Sequence, residues 1–242
     1  MLDNKTKTYA ILLAAGNSTR IKLHSIPKQF LTINNTPLFV YSLKQLLLSS
    51  HIDNVVLVIN KIHYEYVLET VAKLKNHEKI NIVFGDTTRS LSLKNALVFL
   101  RDKFLLKQND IILTHDASRI WLTKDMIKQS ISAFEEKQIE AITLAYNPDD
   151  AIGIGNSLTI EKTLKRNEVF IIQTPQCARF SVFKAIYFDN IIESGKVDNA
   201  PDLCYLVTLL NKKTKVILGD KHHFKITYDA DLKMLSKLLT NN

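Results

Sequence analysis

The chain has 242 residues, 46% of them hydrophobic, and its 32 lysines and arginines outnumber its 24 acidic residues. This composition supports a hydrophobic core and excludes a disordered chain, and the length suits a single domain over residues 1–242. The apolar runs are too short and interrupted for a transmembrane helix, and the basic residues are scattered, which argues against a nucleic-acid-binding face.

The N-terminal residues lack the apolar core of a secretory signal. The cysteines, Cys177 and Cys204, are too few for a disulfide scaffold, and we interpret both as buried small hydrophobic residues. We therefore expect a cytoplasmic protein that binds neither a membrane nor nucleic acid.

Strand-like and helix-like segments alternate along the chain. Short apolar runs predict strands at 9–14, 54–59, 80–84, 111–113, 141–145 and 215–218. Apolar residues at helical spacing predict helices at 38–48, 63–74, 90–104, 124–134, 181–191, 200–210 and 230–239. This order indicates an α/β protein with a Rossmann-like, mostly parallel sheet that has helices on both faces.

Residues 147–173 interrupt the alternation. Short pieces broken by Gly153 and Gly155 predict a β-arm that protrudes from the sheet. Protruding arms are common dimer elements, so we expect a homodimer formed through this arm.

The residues directly after each strand form the candidate site, because ligands of such sheets bind beyond the carboxyl ends of the strands. The first strand is followed by Ala14, Ala15 and Gly16, whose small size lets the backbone approach a ligand closely. Arg20 and Lys28 come next. Backbone N–H groups together with two cations predict a polyphosphate site.

The loops after the third and fourth strands carry further candidates. Gly85 permits a turn, and Arg89 and Ser92 are three residues apart, so both can face one ligand. Asp116 follows the fourth strand, where a carboxylate near phosphate-binding loops is a natural Mg²⁺ ligand. The pair after the second strand, Asn60-Lys61, carries no comparable signal.

Together these loops resemble those of the cytidylyltransferases that activate sugar and sugar-alcohol phosphates. The best-known members act on 2-C-methyl-D-erythritol 4-phosphate and on ribitol 5-phosphate. The matching motifs keep their order through nearly the whole chain: Leu13-Ala14-Ala15-Gly16 with Arg20 and Pro27-Lys28-Gln29-Phe30, Arg89-Ser90-Leu91-Ser92, His115-Asp116-Ala117-Ser118-Arg119, Arg166 with Thr174-Pro175-Gln176, and Lys225-Ile226-Thr227.

The resemblance implies a nucleotidyltransferase fold, a homodimer, Mg²⁺, and CTP and a phosphorylated polyol as substrates. It gives catalytic roles to cations that would grip the triphosphate and approach the α-phosphate: Arg20, Lys28 and Lys225. It assigns CTP binding to Ala14, Ala15, Gly16, Gly85, Asp86, Arg89, Ser92, Asp116 and Ala117, with Asp116 also meeting the metal. It assigns acceptor binding to Arg119, Asp150, Thr174 and Arg166, the last reaching over from the partner subunit.

The implied reaction is an in-line attack by the acceptor's phosphate oxygen on the α-phosphorus of CTP, with pyrophosphate leaving. Such a reaction needs no protein nucleophile. Catalysis would come from positioning and from cations aimed at the developing negative charge.

The chain departs from the family's pattern at several positions, among them Ile21-Lys22, which stand where the triphosphate loop usually has Met-Gly. Ser18 stands where the triphosphate loop has a second glycine, and a positive φ there would strain serine by roughly 1–2 kcal/mol. Asp86 replaces a glycine of the third-strand loop. Ala151 and Pro201 replace threonines that help hold the substrate in the methylerythritol enzymes, which favours a different acceptor or a weakened enzyme. Spacing within the triphosphate loop resembles the ribitol branch and favours a pentitol phosphate.

Other functions stay open. The nearest is the methylerythritol phosphate step, which would use the same CTP half of the site. A nucleotidyltransferase that activates a sugar 1-phosphate is disfavoured by the loop around Arg89 and Ser92. An inactive paralogue that binds CTP or a partner is favoured by the lost glycines and disfavoured by the joint survival of the cations and Asp116.

The adjacent histidines His222 and His223 suggest a metal site at first sight. Neighbouring residues of an extended segment point to opposite sides and rarely bind one ion. We interpret the pair as one packing residue and one surface residue.

Overall fold

A computed structural model describes residues 6–18, 26–189 and 191–240 of the chain, with side chains to residue 235 in the last helix. The strands are β1 (Thr8–Ala14), β2 (Thr32–Ile33), β3 (Thr36–Pro37), β4 (Asn54–Ile59), β5 (Ile80–Phe84), β6 (Ile111–Asp116), β7 (Ala141–Tyr146), β8 (Ile152–Asn156), β9 (Thr159–Leu164), β10 (Ile171–Arg179) and β11 (Lys215–Leu218). The helices are α1 (Leu38–Leu48), α2 (Tyr64–Val71), α3 (Arg89–Phe104), α4 (Lys124–Ser132), α5 (Phe180–Tyr187), α6 (Ser194–Asp198), α7 (Leu203–Leu209) and α8 (Asp229–Thr240).

Seven strands form the central sheet in the order β11-β7-β10-β6-β1-β4-β5. Neighbouring strands are parallel except at β10, which is antiparallel to both β6 and β7, so the predicted mostly parallel sheet is confirmed. The register pairs Leu13 with Asp116, Ala14 with Ile59, and Ile59 with Phe84. The carboxyl ends of β6, β1, β4 and β5 therefore meet at one edge.

Helices cover both faces of the sheet, as predicted. On one face, Phe39 of α1 and Ile127 of α4 pack with Leu12 of β1. On the other face, Phe183 of α5 packs with Ile11 of β1, together with α3 and α7. Successive side chains of β1 thus enter opposite cores, as the pleat of a strand requires. Full burial of each such side chain contributes roughly 1.5–3 kcal/mol, which makes β1 a rigid base for the loop that follows it.

The arm is shorter than the predicted 147–173. It is an antiparallel hairpin of β8 and β9, whereas residues 171–173 pair with β7 and belong to the central sheet. The sequence pattern does not predict β10, because Pro175 lacks a backbone N–H for the ladder and its neighbours Gln173, Thr174 and Gln176 are polar. The register of β10 on β7 shifts between Gln173 and Gln176, so the proline falls within the irregularity.

Smaller differences also separate the predicted and observed elements. Strand β6 continues to Asp116, three residues beyond its predicted end at Leu113. The predicted helix 200–210 begins only at Leu203, after the capping residue Asp202, and the short helix α6 precedes it.

No helix within the described residues is both long and apolar enough to cross a membrane.

Candidate active site

A cavity of about 600 Å³ opens at the sheet edge where β1, β4, β5 and β6 end. Small-molecule sites usually have volumes of roughly 300–1,000 Å³. The cavity is lined by every residue assigned to CTP and by two of the residues assigned to catalysis: Ala14, Ala15, Gly16, Gly85, Asp86, Arg89, Ser92, Asp116, Ala117, Lys28 and Lys225. Residues from both ends of the sequence thus meet in one place.

The loop after β1 is held in shape by the side chain of Gln29. Its Nε2 donates to the carbonyl oxygens of Ala14 and Gly16, each at 2.7 Å. Ser18 Oγ donates to Gln29 Oε1 at 3.2 Å and accepts from the backbone N–H of Lys28 at 3.0 Å. The loop and the short 3₁₀ helix that begins at Lys28 are therefore fastened together.

Ser18 adopts the positive φ that its place in the motif predicts, at 56°. The strain of that conformation, roughly 1–2 kcal/mol, is offset by its two side-chain hydrogen bonds, since each typically contributes about 0.5–1.5 kcal/mol. Gly16 has no positive φ, and a Cβ added there would meet no atom within 4 Å. The fold itself therefore does not require glycine at position 16, and its small size leaves room beside the backbone for a ligand.

Gly85 is needed for close packing between two loops. Its φ is not positive, and an added Cβ would lie 2.3 Å from Ala15 Cβ and 2.9 Å from Ser92 Oγ. Ser92 Oγ accepts from the backbone N–H of Asp86 at 2.9 Å and donates to its carbonyl at 3.3 Å. The β1 and β5 loops therefore touch at this point.

Thr88 begins the helix that carries the arginine of the site. Its Oγ1 accepts from the backbone N–H of Leu91 at 3.1 Å, which is an N-cap, and donates to the carbonyl of Asp198 at 2.6 Å. Arg89 consequently occupies the first position of α3, beside the cavity.

Asp116 ends β6 between two cations. Its Oδ1 accepts from Arg89 Nε at 3.1 Å, and its Oδ2 accepts from Lys225 Nζ at 2.7 Å. Burial alone would raise the pKa of this carboxyl, but the charges of Arg89, Lys225 and Arg119 lower that pKa well below its usual range. Asp116 is therefore ionised, and it holds both cations at the cavity wall.

Lys28 joins the same group of charges from the other side. Its Nζ donates to the carbonyl of Ile226 at 2.5 Å, and the N–H of Ile226 donates to Ser118 O at 2.9 Å. The backbone next to Lys225 is thereby bound to both the Lys28 helix and the β6 loop. Two lysines and an arginine converge on one cavity, an arrangement suited to a polyphosphate.

Comparison with known proteins settles the family. Residues 8–241 match the family described as IspD, 2-C-methyl-D-erythritol 4-phosphate cytidylyltransferase. The chain belongs to the IspD family. Members of this family are cytidylyltransferases, a kind of nucleotidyltransferase, so the predicted family, fold and enzyme class are confirmed.

Relatives with different acceptors in their names match the chain almost end to end. A ribitol-5-phosphate cytidylyltransferase of Lactiplantibacillus plantarum is 27% identical over 96% of this chain and 97% of its own. A 2-C-methyl-D-erythritol 4-phosphate cytidylyltransferase of Thermosipho africanus is 32% identical over 93% of this chain and 95% of its own. The solved 4-diphosphocytidyl-2C-methyl-D-erythritol synthase of Anaerococcus prevotii has a TM-score of 0.79 at 25% identity, covering 97% of this chain and 99% of that one.

The residues assigned to the acceptor do not line this cavity. The guanidinium of Arg119 donates through Nη1 to the carbonyl of His223 at 2.9 Å and through Nη2 to that of Ile172 at 3.3 Å. Thr174 is buried, and its Oγ1 accepts from the N–H of Asp116 at 3.2 Å. Both residues therefore border Asp116 without facing the cavity.

The remaining assigned residues lie further away. Asp150 and Arg166 are exposed beside the arm, and Arg166 Nη1 donates to the carbonyl of Asp149 at 2.7 Å. Their part in acceptor binding stays a prediction. Arg20 lies outside the described residues, so its predicted contact with the triphosphate has no counterpart here.

Sequence reasoning missed part of the site. The sequence identifies Gln29 only as part of the Pro27-Lys28-Gln29-Phe30 motif and predicts no role for it, yet its side chain holds the β1 loop in shape. Asn60 and Lys61 also line the cavity, and Asn60 Nδ2 donates to Asn17 Oδ1 at 3.4 Å. Their position at the carboxyl end of β4 was the available signal, since every parallel strand of this sheet delivers its next residues to the same edge.

The residues present do not fit an Mg²⁺ ion held by the protein alone. Among the described residues there is no group of three His, Cys, Asp or Glu side chains arranged to hold a metal. Both oxygens of Asp116 already accept from cations. Mg²⁺ prefers a near-octahedral shell of oxygens and is commonly bound through one or two carboxylates together with substrate phosphates.

Proposed function

We propose that this cytidylyltransferase transfers CMP from CTP to a phosphorylated polyol, ribitol 5-phosphate or a related pentitol phosphate, and releases pyrophosphate. The observation that carries the proposal is the convergence of Lys28, Lys225 and Arg89 on one cavity around Asp116. The relative named for ribitol 5-phosphate, which matches 96% of the chain, supports this acceptor.

Each of these residues has its own role in the proposed reaction. A phosphate oxygen of the acceptor attacks the α-phosphorus of CTP, the new P–O bond forms, and the bond to the bridging oxygen of the β-phosphate breaks. The electron pair leaves with pyrophosphate. Lys225 stabilises the charge that develops at the α-phosphate, and Lys28 stabilises the departing β- and γ-phosphates. Arg89 keeps Asp116 ionised, so that Asp116 can hold Lys225 in place.

Mg²⁺ would enter this site together with the substrate. Because Asp116 is already bound by two cations, the triphosphate oxygens would have to supply most ligands for the ion. The ion would further neutralise the phosphate charge. The residues of the chain then need only orient CTP and the acceptor.

2-C-methyl-D-erythritol 4-phosphate is the second candidate acceptor. The Thermosipho africanus relative named for it is 32% identical to this chain. The CTP half of the site is the same in both proposals. Ala151 and Pro201 replace the threonines of the methylerythritol pattern, which favours the pentitol phosphate.

We further propose a cytoplasmic homodimer that pairs through the arm. The tip of the hairpin exposes Leu158 completely, and the exposed fraction of Ile160 is 72%. Exposed apolar side chains on a two-stranded hairpin favour burial against a second copy. Arg166, beside this hairpin, would then reach the acceptor phosphate in the partner's site.

The test is pyrophosphate release from CTP and Mg²⁺ with each candidate acceptor in turn. We expect release with one acceptor, and a thermal shift with CTP larger than with ATP, GTP or UTP. Lys225→Met should lower kcat by about 10²–10³-fold, as loss of one transition-state donor does. Lys213→Met, on the exposed surface, is the matched control and should leave kcat unchanged. Equal thermal shifts with all four nucleotides contradict the CTP assignment.

A further inference from the structure

The segment from Gly219 to Tyr228, which carries Lys225, lies between β11 and α8 and belongs to no helix or strand. Its backbone polar groups must therefore find other partners. His223, two residues before Lys225, is fully buried, whereas the side chain of its neighbour His222 is 92% exposed. The predicted split into one packing and one surface histidine is confirmed.

Three hydrogen bonds fasten His223 to β10 and to the turn that follows β6. Its Nε2 donates to the carbonyl of Thr174 at 2.6 Å. Its own carbonyl accepts from Gln173 Nε2 and from Arg119 Nη1, each at 2.9 Å. Gln173 Nε2 also donates to the carbonyl of Asp220 at 2.8 Å, so both ends of this turn are bound to β10.

The imidazole of His223 also stacks on that of His115. The two ring planes are 15° apart, with centroids separated by 5.5 Å. His115 Nε2 donates to a backbone carbonyl at 3.0 Å, which leaves Nδ1 to accept from Thr174 Oγ1, also at 3.0 Å. The same Thr174 oxygen accepts from the N–H of Asp116. One stacked pair thus adjoins the backbone of Asp116 on one side and that of Lys225 on the other.

Both rings are neutral at neutral pH. Burial, together with the nearby charge of Arg119, lowers the pKa of His223 to about 4. Burial, together with His223 itself, lowers the pKa of His115 to about 3. The stack therefore carries no charge repulsion, and His223 has one N–H to donate.

We propose that His223 is a positioning residue for cytidylyl transfer, fastening the backbone so that the Lys225 ammonium lies against Asp116 and faces the α-phosphate of CTP. The fastening of the backbone follows from the contacts of His223 described above, and the role toward CTP rests on the proposed function. Only Phe224 separates His223 from Lys225 along the backbone, so a displacement of His223 also displaces Lys225. A misplacement of about 1 Å can cost roughly 10²-fold in rate.

The experiment compares three substitutions by steady-state kinetics. His223→Leu removes both the donor and the stack, and we expect kcat to fall about 100-fold while KM for CTP changes less than about threefold. His223→Gln keeps an N–H within reach of Thr174 O, and we expect it to recover most of kcat. His222→Leu, on the exposed neighbour, is the control and should behave as the parent enzyme. A His223→Leu enzyme with the parental kcat overturns the inference.

A second pair of measurements separates positioning from general loss of structure. In a Lys225→Met background, His223→Leu should cost no further kcat, because its effect passes through Lys225. A loss of the same size in both backgrounds overturns the proposal. If His223→Leu does not fold, Gln173→Ala, which removes two of the backbone contacts, takes its place with the same expectations.

Failure of the proposed function gives a different result. A parent enzyme that releases no pyrophosphate with any acceptor contradicts that function. The proposed positioning of Lys225 by His223 is then tested by crystallography. The distance from Lys225 Nζ to Asp116 Oδ2 is 2.7 Å in the parent. A separation beyond about 4 Å in His223→Leu, the limit of an ion pair, supports the inference, and an unchanged distance overturns it.

Discussion

Replacement of Gly16 by alanine should separate CTP binding from stability. A methyl group at this position would meet no protein atom within 4 Å, and the φ of Gly16 is not positive, so alanine fits the native backbone. Loss of glycine's freedom in the unfolded chain then stabilises the fold by about 0.4–1 kcal/mol. For a chain of this size, that corresponds to a rise in Tm of about 1–4 °C.

The same methyl group should weaken CTP binding. Gly16 lines the cavity, and a triphosphate can approach its backbone closely only while the space beside it stays empty. Loss of one hydrogen bond to a charged group costs about 1.5–3 kcal/mol. The Kd for CTP should therefore rise about tenfold to a hundredfold.

Isothermal titration with CTP in the absence of acceptor measures the affinity, and thermal melting measures the stability. Gly195→Ala is the matched control, because a Cβ at Gly195 in α6 also meets nothing within 4 Å. It should raise Tm without changing the Kd. Gly85→Ala should instead destabilise the fold, since its Cβ would lie 2.3 Å from that of Ala15. An unchanged Kd in Gly16→Ala would refute a triphosphate contact at this loop.

Three further outcomes are expected. Burial lowers the pKa values of His115 and His223 to about 3 and about 4, whereas a histidine of the unfolded chain has a pKa of 6.5. Below pH 6.5 the unfolded chain therefore binds protons that the folded chain does not. The free energy of unfolding should be at its full value above pH 6.5 and should fall on acidification, by on the order of 2 kcal/mol per imidazole at about pH 5. Urea titrations of the parent and of His223→Gln at several pH values test this, and an equal pH dependence in both proteins contradicts it. Thr88→Ala should cost about 1–2 kcal/mol through loss of the α3 cap, whereas Thr87→Ala, exposed beside it, should be nearly neutral; equal losses in urea contradict the capping role. Leu158→Asp, at the exposed arm tip, should turn a dimer into a monomer of unchanged Tm by light scattering, and an intact dimer argues against pairing through the arm.

The parts of the fold that the sequence predicts well are those with strong local signals. Strand β4 and helix α1 are confirmed at both ends, because a continuous buried run and a regular apolar face leave little ambiguity. Strand β10 escapes prediction because its burial comes from its central place in the sheet, which no local pattern around Pro175 records. The arm was placed too broadly for the same reason, since residues 171–173 are drawn into the sheet by β7.

The candidate site shows the same division. Gly16, Arg89, Asp116 and Lys225 were predicted from strand ends and motifs, and the structure brings them to one cavity. The holding contacts of Gln29 were not predicted, because side-chain bonds to distant carbonyls depend on the folded geometry.

The double ion pair of Asp116 has a consequence for which anions the site can bind. Arg89 and Lys225 already have a carboxylate partner fixed within 3.1 Å and 2.7 Å, respectively. A small anion such as inorganic phosphate must compete with this tethered partner, whose effective concentration far exceeds that of a solute. Only a ligand with several linked charges, able to meet Lys28 at the same time, gains enough contacts to share these cations. Asp116 thus acts as a built-in competitor that disfavours simple anions relative to a ligand with several linked negative charges.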